Sequence, residues 1–204
     1  MFTGIIIEVG EIASINVKSG GLEICVKTRE IYKDCKNGDS IAVNGVCLTV
    51  SKISDKFIFF DVMNESVKKT NLDTLRRNSF VNLETALRFN GKMDGHFVQG
   101  HIDCAGRIKS KTKAGSSVVL SISFPSEFSM YAAPRGSIAI DGASLTIAEK
   151  KGNTVKVSLV DFTQKNTTLS QKNAGDSVNI EFDIIGKYLF EFHSAVTQKK
   201  VYQR

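Results

Sequence analysis

The sequence predicts an all-β protein built from two copies of one antiparallel module, followed by a helix. Short runs rich in β-branched and aromatic residues alternate with Gly, Asn and Asp turn signals, with almost no long helical pattern between them. That layout belongs to antiparallel barrels or sandwiches. The run Ser40-Ile41-Ala42-Val43-Asn44-Gly45-Val46-Cys47-Leu48-Thr49-Val50 returns 97 residues later as Ser137-Ile138-Ala139-Ile140-Asp141-Gly142-Ala143-Ser144-Leu145-Thr146-Ile147. Thr70-Asn71-Leu72 returns as Thr167-Thr168-Leu169, and Val81-Asn82-Leu83-Glu84 as Val178-Asn179-Ile180-Glu181, in the same register. Three separated matches at one offset indicate duplication, because a solenoid needs more copies at a shorter period. The units are residues 1–96, residues 97–183, and a tail of residues 184–204.

Within the first copy, Phe2 to Val17 reads as a strand pair or one long bent strand, closed by the turn signal Lys18-Ser19-Gly20-Gly21. Leu22 to Thr28 alternates, with Leu22, Ile24 and Val26 on one face and Glu23, Cys25 and Lys27 on the other. Arg29 to Lys36 suits a short helical turn. Asn44-Gly45 is a hairpin signal, since both residues tolerate positive φ. Phe57 to Met63 is a strand, Asn64 to Leu75 has helical spacing, and Phe80 to Glu84 closes the module. The second copy opens at Phe97, where Gly100 falls on Gly4, His101 on Ile5 and Ile102 on Ile6. In the tail, Ile184, Ile185, Tyr188, Leu189, Phe192 and Val196 recur at helical spacing. That helix either packs on its own domain or joins subunits, because its apolar strip should not stay exposed.

The totals exclude several classes. No apolar run reaches the roughly 18 residues of a membrane span, and no signal-peptide pattern opens the chain, so a cytoplasmic location is the default. Cys25, Cys35, Cys47 and Cys104 form no C-x-x-C and no tight Cys/His cluster, so free thiols are expected and no metal site. The net charge is +6, but residues 1–96 carry 13 basic and 12 acidic side chains and residues 97–204 carry 14 and 9. Apart from Lys199, Lys200 and Arg204 the excess is diffuse, which argues against nucleic acid as a partner.

Single residues are weak signals here. His101 beside Gly100 is a structural histidine, or one placed where a ligand approaches the backbone closely. His96 reads as a core or linker histidine, and His193 lies on the tail helix. Cys47 reads as a buried small side chain. Ser40, Thr49, Ser144 and Thr146 alternate along strands, where their hydroxyls satisfy neighbouring backbone or line a face that suits a polyol. Asp183 stands where a carboxylate caps a helix.

Taken together, Met1-Phe2-Thr3-Gly4-Ile5-Ile6, Asn44 to Val50, Gly95-His96 through Gly100-His101-Ile102, Ile140 to Thr146 and Thr167-Thr168-Leu169 make the whole chain resemble riboflavin synthase of the α-subunit type. The resemblance implies two similar six-stranded Greek-key barrels and a C-terminal helix that joins three subunits. It implies that two molecules of 6,7-dimethyl-8-ribityllumazine exchange a four-carbon unit, with no metal or redox cofactor. One substrate would be held by Gly4, Ile5, Ile6, Ser144, Leu145, Thr146 and the strand Ser158, Leu159, Val160, Asp161, Phe162 and Thr163. The other would be held by Cys47, Leu48, Thr49, the segment Asp61, Val62, Met63, Asn64, Glu65 and Ser66, and Gly100, His101 and Ile102. Ser40, Cys47, His101, Thr146 and Asp183 match positions implicated in catalysis. Arg135 stands at a ligand position where the family usually has Lys. The 160–163 segment lacks a frequent proline, and Ser66 replaces a common Thr. The rival reading is a non-catalytic lumazine antenna protein, which tends to lose reactive positions in one copy. Association with a lumazine synthase shell is left open by the diffuse charge.

Overall fold

The computed structural model describes residues 1–201, with side chains through residue 197. Arg204 and the side chains of Lys199 and Lys200 therefore lie outside the described residues. Two closed barrels follow one another. The first comprises β1 (Glu8–Lys18), β2 (Gly21–Lys27), β3 (Ser40–Val43), β4 (Val46–Ser54), β5 (Phe57–Met63), then α1 (Asn64–Lys69) and β6 (Phe80–Thr85). The second comprises β7 (Cys104–Ala114), β8 (Ser117–Ser123), β9 (Ser137–Ile140), β10 (Ala143–Lys151), β11 (Thr154–Leu159), then α2 (Asp161–Asn166) and β12 (Ser177–Phe182). The helix α3 (Ile184–Val201) ends the chain. The spatial order β1-β2-β5-β4-β3-β6 is repeated by β7-β8-β11-β10-β9-β12, and every pairing is antiparallel.

Alternation sets these strands. In β5, Ile58, Phe60 and Val62 point inward while Asp61 and Met63 face out. In β11, Val155, Val157 and Leu159 do the same. Each barrel thus encloses its own aliphatic core, the main source of stability for a closed sheet without edges. The β3–β4 turn has Asn44 and Gly45 at φ 46° and 79°, and Asp141 and Gly142 repeat it at 44° and 81°. Alternation fails where both faces of a strand are covered, as in β3, β6, β9 and β12, and at Cys25 of β2. Cys25 lies on the outer face yet is buried, between Ser14 and Phe59 on the neighbouring strands.

Three expectations are corrected, and one open alternative is narrowed. The chain before Glu8 is not a barrel strand but an extended arm, bridged at Phe2 to Val98. The helical segment 64–75 breaks at extended Thr70, whose hydroxyl accepts from Leu72 N and starts a separate 3-10 turn, Asn71–Thr74. The strand expected over 158–163 ends at Leu159, because Asp161–Asn166 is helical. In the tail, Ile185, Tyr188, Leu189, Phe192 and Val196 face outward, so the strip is not packed on its own domain. The inward side of α3 instead sets Phe190 edge-on to Tyr131, with Lys187 bonded to Asp103 at 2.7 Å.

The barrels are locked around a pseudo-twofold axis. The tips of the two hairpins touch there, Gly45 against Gly142. Asn82 of β6 accepts from Thr168 N at 2.8 Å and donates to the Asp141 carbonyl at 2.9 Å. Asn179 of β12 accepts from Asn71 N at 2.6 Å and donates to the Asn44 carbonyl at 2.8 Å. Both asparagines are wholly buried, so each barrel supplies the partner that keeps the other's 3-10 turn satisfied. Asp141 is also buried, with Asn71 Nδ2 and Asn179 N on one oxygen and Lys172 Nζ at 3.3 Å from the other.

Candidate functional site

The two arms cross. Residues 4–6, ahead of the first copy's strands, lie against the second barrel, and residues 100–102, ahead of the second copy's strands, lie against the first, while Ile7 N and Asp103 N return to Leu83 O and Ile180 O of their own barrels. Gly4 O accepts from Ser144 N at 2.8 Å, and Gly100 O accepts from Cys47 N at 2.9 Å. Ile6 packs on the C-terminal barrel core and Ile102 on the N-terminal one. Glycine is required at both crossings. Gly4 has φ 79° and Gly100 φ 80°, and an added Cβ would stand 2.6 Å from Ser144 Cβ or 2.5 Å from Cys47 Cβ.

Buried carboxylates hold the arms. Glu84 Oε1 accepts from Thr3 N at 2.7 Å and Thr3 Oγ1 at 2.8 Å, while Oε2 accepts from Gly4 N at 2.9 Å. Its counterpart Glu181 accepts from Gln99 N at 2.6 Å and Gly100 N at 2.9 Å. Burial raises the Glu84 carboxyl above its ordinary range, against the pull of these donors. Burial also pushes Glu181 up to about 7. Lys187, which the Asp103 carboxylate engages, pulls Glu181 the other way.

On the C-terminal barrel, Gly4, Ile5, Ile6, Ala143, Ser144, Phe162, Thr163, Asn166 and Thr167 line an open pocket. This joins the residue groups 4–6, 144 and 162–163 that the resemblance implies for one substrate. Thr146 is exposed on the same β10 face, paired with Ser137 across β9. Leu145 and Leu159 are used by the barrel core, so only their backbone faces outward chemistry. Ser158, Val160 and Asp161 are exposed, and Asp161 is tied to Lys165 at 2.7 Å. Arg135 is exposed at φ 64°, where the first copy has Gly38 at φ 90°.

On the N-terminal barrel, Cys47 and Thr49 point outward beside Gly100, His101 and Ile102, and His101 is exposed. Leu48 and Val62 serve the core. Met63, Asn64 and Glu65 are exposed at the start of α1, with Glu65 bound to Lys69 and Asp61 bound to Lys18. The Ser66 carbonyl accepts from Thr70 Oγ1 at 2.6 Å. Ser40 pairs with Thr49 across β3–β4 and opens into a separate groove of about 500 Å³ beside Cys35, Asp39 and Thr85. The thiols of Cys25 and Cys35 are raised by burial, and that of Cys104 is pushed to about 12.

The five candidate catalytic residues therefore divide. Ser40, Cys47 and His101 sit on the N-terminal barrel, and Thr146 and Asp183 on the C-terminal one. Asp183 Oδ1 accepts from Ile185 N at 3.0 Å, so it does cap α3. Sequence reasoning missed His96, Glu84, Glu181, Asn166 and Thr167. His96 Nδ1 lies 2.7 Å from Ser144 Oγ. Burial lowers its pKa while the nearby Asp183 charge raises it. The signal for the two glutamates was the repeated Val-Asn-x-Glu, an acid at matching strand positions in both copies.

A family model described as the lumazine binding domain matches the chain twice, over residues 3–86 and 99–183. The riboflavin synthase of Actinobacillus pleuropneumoniae is 43% identical over 192 residues, covering 94% of this chain and 89% of its own. That of Bacillus subtilis is 40% identical over 203 residues, covering 100% and 94%. The chain belongs to the riboflavin synthase family. In fold it is similar to LumP crystallised with riboflavin, with a TM-score of 0.84 at 23% identity over 89% of this chain and 99% of that one. LumP with bound 6,7-dimethyl-8-(1'-D-ribityl) lumazine gives 0.82, also at 23% identity, over the same shares of the two chains. Among the described residues no helix is long and apolar enough to cross a membrane.

Proposed function

We propose that this chain is a riboflavin synthase: two molecules of 6,7-dimethyl-8-ribityllumazine react, and a four-carbon unit passes from one to the other. The products are riboflavin and 5-amino-6-(ribitylamino)uracil, and the exchange balances without an outside oxidant or reductant. The observation that carries the reading is the crossed pair of arms, which gives one chain two equivalent outward sites, Gly4 on Ser144 and Gly100 on Cys47. Two pockets of like backbone shape suit a reaction whose two substrates are identical. The barrels of residues 1–96 and 97–183 act as the two lumazine-binding modules.

The split of reactive groups between barrels supports an active site formed by the N-terminal barrel of one subunit and the C-terminal barrel of its neighbour. The exposed strip of α3 supports residues 184–204 as the helix that joins three subunits. Arm backbone bonds the ring edges, and Thr49, Thr146 and Arg135 meet polar substituents. His101 and its hydroxyl neighbours help remove a proton from the acidic C7 methyl of one substrate, and Cys47 or an activated water adds at C7 of the other. Holding the two rings in a reactive pose supplies much of the rate. The protein works in the cytoplasm, and a lumazine synthase shell is a partner to be tested by co-sedimentation.

The test is to mix purified protein with ribityllumazine alone and follow absorbance. Growth of the riboflavin band above the protein-free rate supports the reading. Binding with altered fluorescence and no riboflavin turns it toward an antenna-type binder.

A further inference from the structure

We propose that His96 is a positioning residue, whose Nδ1–H donates to Ser144 Oγ and so turns the Ser144 hydroxyl proton outward, toward an acceptor atom on the heteroaromatic ring bound at the C-terminal barrel. This rests on the two-site reading above and assigns a role within one of its sites.

The argument begins with the ring nitrogens. Nδ1 lies 2.7 Å from Ser144 Oγ, while Nε2 is buried with no hydrogen-bond partner among the described residues. Burial keeps the imidazole neutral, the Asp183 charge only partly opposing it. A neutral ring has one proton to place. On Nε2 it would be a buried donor with nothing to bond, a cost of about tenfold or more in the tautomer ratio. On Nδ1 it meets Ser144 Oγ, and Nε2 then buries only a lone pair. Ser144 Oγ already accepts, so its own proton is free for a partner on the open side. That side is the pocket shared with Gly4, Ile5 and Thr163.

The ring is held in place by backbone. His96 N donates to Thr3 O at 3.1 Å, and Phe2 and Val98 exchange two backbone bonds two residues further on. The arm that brings Gly4 to Ser144 thus also fixes the loop that brings His96 there. The N-terminal barrel carries a different group at the matching place: in the hairpin register of 97 residues, Cys47 stands where Ser144 does. The two sites therefore differ: one offers an oriented hydroxyl donor, the other a thiol beside exposed His101. A reaction that gives two identical molecules different fates needs such a difference.

The test is a double-mutant cycle of His96→Ala and Ser144→Ala, with His96→Asn and His96→Gln alongside. Each is read by the dissociation constant for ribityllumazine from fluorescence, by kcat and KM for riboflavin formation, and by thermal melting. Asn places an amide N–H where Nδ1 lies, whereas Gln places it nearer Nε2. Each alanine variant should lose about tenfold in kcat/KM, and the double should lose no more than either. His96→Asn should recover to within about threefold of the parent, and His96→Gln should not. Losses that multiply to about a hundredfold, or equal recovery by Gln and Asn at equal melting temperature, would overturn the proposal. If the parent binds ribityllumazine but forms no riboflavin, the functional reading fails while the cycle is still decided on the dissociation constants. Coupling there sustains the role of His96, and additivity ends it.

Discussion

Glu181→Gln keeps the side-chain shape and one acceptor oxygen but turns an amide NH₂ toward a backbone N–H. In the native structure the two carboxylate oxygens take Gln99 N and Gly100 N. Loss of one acceptor leaves a buried donor unpaired, at about 1–2 kcal/mol. Against this stands the burial of charge. The native carboxyl is pushed from 4.5 up to about 7, which corresponds to about 3 kcal/mol working against its ionised form. The native chain holds the proton between those two values while the unfolded chain has released it. Glu181 therefore makes the parent lose stability as pH rises from about 4.5 to about 7, with no further change above. Gln cannot titrate. The variant should be less stable than its parent by about 1–2 kcal/mol near pH 5, and the difference should reverse in sign by pH 8. Urea unfolding at the two pH values and one protein concentration measures it, the concentration being fixed because subunit association also contributes. A difference that stays constant with pH would refute the claim that this carboxylate is held ionised at a cost. At either pH the arm is loosened at Gly100, so riboflavin formation should fall by at least about tenfold.

Other expectations follow from the same geometry. Lys172→Leu strands the buried Asp141 carboxylate and should cost about 3–5 kcal/mol in urea unfolding. Adding Asp141→Asn reproduces the Asn44 and Leu75 pairing of the first barrel and should recover most of that loss, whereas a double variant as unstable as the single would contradict it. On the proposed joining of three subunits through α3, Leu189→Lys with Phe192→Glu should give monomers in sedimentation velocity where the parent gives trimers, and a parent that sediments as a monomer, or a variant that stays trimeric, would remove α3 from the assembly. His101→Gln should lower turnover about a hundredfold with unchanged melting; unchanged turnover would sink its part in proton transfer.

Much of the barrel architecture was legible because closed antiparallel strands obey a local rule. Ile58, Phe60 and Val62 point inward at every second position, and Asn44-Gly45 supplies its own turn. The 97-residue register then carried the reading to the second copy. The arms were not legible in the same way. Residues 2–7 have strand-like composition, and nothing in it says that Gly4 pairs with Ser144 of the other barrel. That is a tertiary fact, enforced by Glu84 and by the absence of a Cβ. Thr70 ends α1 through its hydroxyl bond to Leu72 N, a detail that helical spacing passes over. The grouping of Gly4–Ile6 with Ser144, and of Cys47 with Gly100–Ile102, came from resemblance rather than from pattern. His96 was read as a core or linker histidine, and it is indeed buried, but its bond to Ser144 Oγ is a tertiary contact that no local pattern signals.

The central claim is that two sites built by crossed arms meet between subunits to carry out one reaction. Gly4→Ala puts a Cβ against Ser144 and should disable the C-terminal site, and Gly100→Ala should do the same to the N-terminal site beside Cys47. Riboflavin formation by each variant alone, and by the two coexpressed in mixed trimers, is the measurement. The account predicts that each alone is nearly inactive and that mixed trimers regain turnover, because an intact site on one subunit faces an intact site on another. Mixed trimers no more active than the sum of their parts would contradict it.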